Sequence, residues 1–220
     1  GKTLAIVGRT GSGKTTIVNL LLCLYEAEKG NILLDDMDLK DIKIKSIREN
    51  ISYVPQDNFL FTTTIKENIG FAFDGPMDEE IMIKSSKMAQ VYDNIIDFPN
   101  KFNTVLGERG VTLSGGQKQR VSIARALAKD APILVLDDSL SSVDTETEEK
   151  ILNQLKKITN RKTTIIISHR ISTVKDADEI IVLDEGKIIE RGHHDTLLEF
   201  DGLYRYLYEK QLLEEKISND

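Results

Sequence analysis

The chain has 220 residues, enough for one domain with a sizeable core. Hydrophobic residues make up 40% and charged residues 30%, the balance of an ordinary globular protein. A formal net charge of -7, a single cysteine and the lack of any apolar run near the roughly 18 residues of a membrane helix argue against a nucleic-acid grip, an internal disulfide and a membrane span.

Gly1-Lys2 leads straight into the apolar run Thr3 to Val7, which reads as a strand and not as a signal peptide. Gly8 to Thr15 is a glycine-rich loop, and Thr16 to Leu24 then reads as a buried helix, with Cys23 expected as a small core hydrophobe. Gly30 to Leu34 and Ile51 to Val54 are short strand candidates. The section from about Thr63 to Val111 is helical in pattern, punctuated by Gly75-Pro76 and Pro99. Gln117 to Lys129 reads as a helix with Val121, Ile123, Ala124 and Leu127 on its apolar side. Ile133 to Leu136 is a continuous apolar strand, the pattern expected when both faces of a sheet are covered. Glu146 to Leu155 reads as a helix, Thr164 to Ser168 and Ile180 to Leu183 as strands, and Asp184-Glu185-Gly186 as a turn into a hairpin over Lys187 to Glu190. Leu197 to Lys216 is predicted to be one amphipathic helical tail. His193 and His194 fall in a polar turn and are expected at the surface.

This alternation predicts an α/β fold, a mainly parallel sheet flanked by helices. The helical middle predicts a smaller second lobe at about residues 57–129, set into a core lobe made of 1–56 and 130–220.

Gly8-Arg9-Thr10-Gly11-Ser12-Gly13-Lys14-Thr15 matches the P-loop pattern GxxxxGK[ST] in full, with a strand before it and a helix after it. The glycines let backbone N–H groups close around phosphate oxygens. Lys14 can reach the β- and γ-phosphates, the Thr15 hydroxyl can ligate Mg²⁺, and the helix start running on to Thr16 adds its positive dipole end. Ile133-Leu-Val-Leu-Asp137 is an apolar strand ending in a carboxylate, which P-loop enzymes use to hold Mg²⁺. Asp138 follows directly, and because adjacent strand residues point to opposite faces, its carboxylate must come off the strand's end to face a nucleotide.

Leu113-Ser114-Gly115-Gly116-Gln117 stands just before a helix. Ser114 can cap that helix, and the glycines expose N–H groups to an anion. This is a second phosphate-binding helix start, distant in sequence from the first. The economical explanation is a dimer, in which the motif of one chain faces the nucleotide on the P-loop of the other.

With these motifs in place, the chain resembles the ATP-binding cassette (ABC) family: LSGGQ followed by KQRVSIARAL looks like its signature. The resemblance implies ATP and Mg²⁺ as cofactors. It also implies a motor domain of an exporter at the cytoplasmic face of a membrane, with a transmembrane domain fused N-terminally or separate, and no nucleic acid partner. Val54-Pro-Gln56 is similar to the Q-loop, whose glutamine contacts Mg²⁺ and senses the γ-phosphate. Ser141-Ser-Val-Asp144 resembles the D-loop. Ile167-Ser-His169 resembles the switch-histidine motif, so His169 would contact the γ-phosphate. Gly107-Glu-Arg-Gly110 resembles a loop with which exporters touch their transmembrane helices, and Leu60 to Ile69 has the same flavour.

Two departures from the family pattern stand out. The family usually has glutamate after the strand-end aspartate, as base or water-positioner, and here it is Asp138. That resembles the slow-site subunit of heterodimeric exporters and implies a heterodimer. The family's N-terminal antiparallel strands, with their adenine-stacking aromatic, are largely missing, so the adenine contacts are expected upstream of Gly1. The competing expectation is a soluble ABC-type clamp for DNA repair or chromosome organisation, which the acidic balance and the lack of a coiled-coil insertion disfavour. A P-loop kinase or GTPase would leave LSGGQ unexplained.

Overall fold

The computed structural model describes residues 1–107, 112–159 and 162–219. The Gly107–Gly110 loop expected from the resemblance therefore lies, apart from Gly107, outside the described residues.

In chain order the elements are β1 (Thr3–Gly8), α1 (Lys14–Leu21), β2 (Leu33–Leu34), β3 (Met37–Asp38), α2 (Ile44–Glu49) and β4 (Ile51–Val54). Then come α3 (Ile65–Ile69), α4 (Glu79–Met88), α5 (Tyr92–Ile96), α6 (Gly115–Lys129), β5 (Ile133–Asp137), α7 (Thr145–Thr159) and β6 (Thr163–Ile167). The chain continues through α8 (Ile171–Val174), β7 (Glu179–Asp184), β8 (Lys187–Gly192), α9 (His194–Glu199) and α10 (Leu203–Asn219).

Six strands form one sheet in the order β4-β5-β6-β1-β7-β8. All its pairings are parallel except the β7–β8 hairpin at one edge. β2 and β3 make a separate antiparallel ribbon. This is the α/β architecture that the alternation of elements predicts.

The strands read as apolar runs because both faces are buried. Ala5, Val7, Leu134, Leu136, Ile180 and Val182 join one core, with Val121, Ile123 and Ala124 of α6. The residues between them, Ile6, Val135 and Ile181, join a second core on the other face, with Val18 of α1 and Ile47 of α2. The period of two sorts neighbouring residues to opposite faces. Each such valine, leucine or isoleucine contributes about 1.5–3 kcal/mol through burial.

Three local expectations need correction. The predicted tail helix is two helices, α9 and α10, broken at Phe200-Asp201-Gly202. A side chain at Gly202 would meet the Glu190 carboxylate at 2.6 Å, and that carboxylate accepts the N–H groups of Leu203 and Tyr204 at the start of α10. His194 is half-buried and not a surface residue: its Nδ1 lies 2.8 Å from the Tyr204 hydroxyl, and its ring packs edge-on against Tyr204 and Tyr208. Cys23 sits at the rim of the second core, half-exposed, because α1 ends at Leu21 and the chain turns there with a φ of 52° at Cys23.

Candidate functional site

β1, β5 and β6 run parallel and end level with one another. Ile6 and Asp137 both register against Ile167. Their C-terminal ends therefore deliver the Gly8–Thr15 loop, Asp137 and His169 to one edge of the sheet, where ligands of open α/β sheets bind.

The loop's shape depends on its glycines at specific points. A side chain at Gly8 would stand 2.2 Å from the Leu183 carbonyl oxygen, so β1 passes β7 too closely for any other residue. Gly13 begins α1 with a φ of 99°, a left-handed conformation that favours glycine. Lys14 is buried, and its ammonium donates to the carbonyls of Gly8 and Arg9, each at 2.9 Å. Burial lowers its pKa, while the charges of Asp138 and Asp137 oppose that shift. The lysine thus spans the loop from inside, facing two carboxylates.

Asp137 is 1% exposed. Its Oδ1 accepts from the Thr15 hydroxyl and its Oδ2 from the Tyr53 hydroxyl, both at a long 3.4 Å. Burial raises the Asp137 pKa, the two hydroxyls hold it down, the neighbouring Asp138 charge adds to the rise, and Lys14 counteracts it. The Tyr53 hydroxyl is pushed up to about 12 by burial and by Asp137. Thr15 and Asp137 present an alcohol and a carboxylate oxygen side by side. Mg²⁺ takes oxygen ligands and keeps several waters, so one or two protein oxygens plus phosphates are enough. The pair fits that ion.

Asp138 leaves the strand with a φ of 45°, which swings its carboxylate away from the pleat that Asp137 follows. Its backbone is held on both sides: its N–H donates to the Ile167 carbonyl at 2.8 Å, and its own carbonyl accepts from the Ser141 hydroxyl at 2.9 Å and from the Gln119 amide at 3.4 Å. His169 follows β6 by two residues and is exposed. Partial desolvation and the Lys14 charge lower its pKa, against the pull of Asp138 and Asp137. A neutral imidazole is therefore favoured there at neutral pH.

Gln56 is exposed, and its carbonyl accepts from the Asn58 amide at 3.3 Å. Among the described residues, the side chain of this strand that reaches Asp137 is Tyr53, three residues earlier. Sequence reading missed Tyr53, because a tyrosine in a short apolar strand reads as core.

The Leu113–Gln117 motif does start a helix. The Ser114 hydroxyl accepts from the Gln117 N–H at 3.2 Å, and the Gln117 side chain accepts from the Ser114 N–H at 2.9 Å, a reciprocal capping box. Ser114 and Gly115 are exposed. This start does not share the P-loop's neighbours. A side chain at Gly116 would lie 2.8 Å from the Ser142 carbonyl, whereas the P-loop packs on Leu183 and hydrogen-bonds Gly186.

Two further residues bind the 138–144 segment, and sequence reading singled out neither. Gln119, fully buried, donates to the Asp138 carbonyl and the Ser141 hydroxyl and accepts from the Ser142 N–H at 2.9 Å. Arg170 donates to the carbonyls of Val143 and Ser141 at 3.3 and 3.0 Å and pairs with buried Glu148. Asn68, also fully buried, uses its whole amide: it accepts from the Phe61 N–H and Arg125, and donates to the carbonyls of Phe61 and Thr64.

Comparisons with known proteins point to one family. A model of the ABC transporter family matches residues 1–141. The ATP-dependent lipid A-core flippase of Haemophilus influenzae is 46% identical over 211 residues, 96% of this chain and 36% of the flippase. ABC transporter B family member 6 of Dictyostelium discoideum is 47% identical over 213 residues, 97% of this chain and 31% of its own length. Among solved structures, a bacterial Atm1-family ABC exporter with ATP bound is similar with a TM-score of 0.92 at 43% identity, covering 96% of this chain and 37% of that one. The chain spans about a third of the length of these relatives. No helix among the described residues is long and apolar enough to cross a membrane.

Proposed function

The chain belongs to the ABC transporter family, and on that premise we propose that it is the ATP-binding and ATP-hydrolysing motor domain of an exporter. Two such domains close on ATP, and a transmembrane domain, in the same polypeptide or another, carries the motion across the bilayer. The domain then works at the cytoplasmic face of that membrane. Support for export comes from the relatives, a lipid A-core flippase and an Atm1-family exporter by name. Those names also disfavour a clamp for DNA repair or chromosome organisation.

The observation that carries the reading is the meeting of Lys14, Thr15, Asp137 and Asp138 at the ends of β1 and β5. Gly8 to Thr16, with Arg9, Thr10, Gly11, Ser12 and Gly13 between them, hold the phosphates. Mg²⁺, where bound, neutralises phosphate charge and is held by Thr15 and Asp137, with Gln56 approaching from the loop after β4. Asp138 orients the attacking water, and His169 contacts the γ-phosphate. Ser114, Gly115, Gly116 and Gln117 act on the ATP of the partner domain. Residues 57–129 form the lobe that carries them, and 1–56 with 130–220 form the core lobe. Asp138 makes this chain's own site slow, so the natural partner is a second, different domain with a faster site.

Light scattering with and without Mg·ATP tests the assembly. The chain is expected to be monomeric alone and to pair when ATP is present, and Lys14→Ala is expected to abolish both binding and pairing. A dimer indifferent to nucleotide would refute the sandwich, and unchanged ATP affinity in Lys14→Ala would refute the phosphate site.

A further inference from the structure

Among the described residues, the side chain of Gln211 links the C-terminal helix to the candidate site by hydrogen bonds. The Gln211 amide of α10 bridges the backbone on either side of Arg170: its Nε2 donates to the His169 carbonyl, and its Oε1 accepts from the Ile171 N–H at 2.8 Å. Both ends of the amide are used on a three-residue stretch that begins at His169.

The Arg170 N–H donates to the Ser168 hydroxyl at 2.9 Å and Ile171 is buried in the larger core, but the helix that follows gives the stretch little support. Ile171 opens α8, a helix of only four residues, and helices this short do not persist on their own. Its first N–H groups have no intrahelical partner, and Arg170 in the cap position makes no side-chain capping bond. Gln211 provides the missing acceptor from a helix 40 residues further along the chain. On the other side, the Arg170 guanidinium is committed to the carbonyls of Ser141 and Val143. The His169 peptide is therefore clamped between α10 and the 141–143 segment, while its ring stays exposed.

The packing of α10 explains why Gln211 is the contact. Tyr204 is fully buried in the larger core, and Leu207 and Tyr208 pack partly against it. Gln211 is the next position on that face, one turn beyond Leu207 and Tyr208. Further on, Leu213 and Ile217 are 60% and 76% exposed. The packed part of the helix thus ends at the residue that reaches the histidine's backbone.

We propose that Gln211 is a positioning residue for His169, and that α10 is a strap which sets the place of the γ-phosphate contact. The proposal rests on the reading of His169 given above. Gln211 acts through the backbone: it fixes the peptide from which the imidazole projects. Anything that lifts α10 from the core would loosen His169.

The 220-residue chain has three histidines, so ring ¹³C signals from labelled histidine can be resolved and His169 assigned with His169→Gln. Gln211→Leu keeps side-chain size and helix propensity and removes both hydrogen bonds. It is expected to move and broaden the His169 ring signal while leaving that of His193 in place. In ATP turnover, measured at concentrations where the chain pairs, Gln211→Leu is expected to lower kcat about tenfold with KM nearly unchanged, short of the roughly hundredfold tied to a 1 Å displacement. In a His169→Ala background the same substitution is expected to add nothing, as for two residues acting as one unit. Gln211→Glu, which keeps an acceptor for Ile171 but no donor for His169, should fall between.

A His169 ring signal unmoved in folded Gln211→Leu would overturn the strap. An equal loss of kcat in the presence and absence of His169 would overturn the positioning role. A silent His169→Ala would overturn the γ-phosphate assignment on which the proposal rests, and the ring signal identifies that failure separately.

Discussion

Asp138→Glu puts the assigned base to its sharpest test. The backbone at this position is pinned by the Ile167 carbonyl, the Ser141 hydroxyl and the Gln119 amide. The substitution therefore changes side-chain length and little else, advancing the carboxylate by about one C–C bond, roughly 1.5 Å. A misplacement of roughly 1 Å at a reacting centre costs on the order of a hundredfold. The variant is thus expected to raise kcat by roughly ten- to a hundredfold, about 1.4–2.7 kcal/mol of barrier. KM should hardly change, because ground-state binding depends on the P-loop. The gain comes with a loss elsewhere. The φ of 45° lies in the left-handed region, which aspartate tolerates better than glutamate, so stability should fall by up to about 1 kcal/mol. Single-turnover ATP hydrolysis in a dimer whose partner site is silenced measures the first effect, and urea unfolding the second. Unchanged turnover with ATP bound and the dimer closed would refute the base assignment and leave His169 to organise the attack.

Three other outcomes follow from the same geometry. The folded state raises the Asp137 pKa above its usual 3.8, mainly through burial, so the native chain binds more protons there than the unfolded one. Stability is then lost as pH rises from about 3.8 through the raised value. In chelator, Asp137→Asn should therefore raise the melting temperature at neutral pH and have little effect near pH 3; a uniform shift at both would contradict the assignment. Tyr53→Phe removes a hydrogen bond that holds the Asp137 pKa down, so the acid limb of the ATPase pH profile should move toward neutral. An unmoved limb would show that the 3.4 Å contact carries no electrostatic weight. Ser114→Ala deletes the acceptor for the Gln117 N–H; losing such a cap costs about 1 kcal/mol, and the partner's turnover should drop more than this chain's own, as mixed dimers would reveal.

The parts of the site legible in the sequence were those made by contiguous residues. GxxxxGK[ST] between a strand and a helix, a carboxylate ending an apolar strand, and Ser-Gly-Gly-Gln at a helix start each carry their own geometry, because the residues that act together are neighbours along the chain. Tyr53, Gln119, Arg170 and Gln211 were not legible for the converse reason. Tyr53 meets Asp137 across 84 positions, and Gln211 meets Ile171 across 40. Only the parallel register and the return of α10 create those meetings. A lone glutamine on an amphipathic helix has the same appearance whether it faces water or a backbone. The break after α9 did leave a signal, Asp201-Gly202, a turn dipeptide inside a pattern otherwise periodic enough to pass for one helix. His194 left none, since its partner Tyr204 becomes its neighbour only after that break folds the chain back.

The two glycines of the Leu113–Gln117 motif owe their place to two different physical demands. Gly115 is exposed, and a side chain there would meet the Ser142 side chain at no less than 3.8 Å. Packing alone would thus admit alanine, and what favours glycine is the open approach to the helix's first N–H groups, which no intrahelical carbonyl can satisfy. Gly116 is different. A side chain there would collide with the Ser142 carbonyl at 2.8 Å, and that carbonyl cannot retreat easily. The Ser142 N–H is held by Gln119, and the carbonyls of Ser141 and Val143 on either side are held by Arg170. Substitution at Gly116 would therefore push on the 138–144 segment, whose first residue is Asp138. The helix start assigned to the partner's nucleotide and the segment that carries Asp138 are thus joined by the Gly116–Ser142 approach as well as by the hydrogen bonds of Gln119. Glycine is the residue that lets them approach that closely.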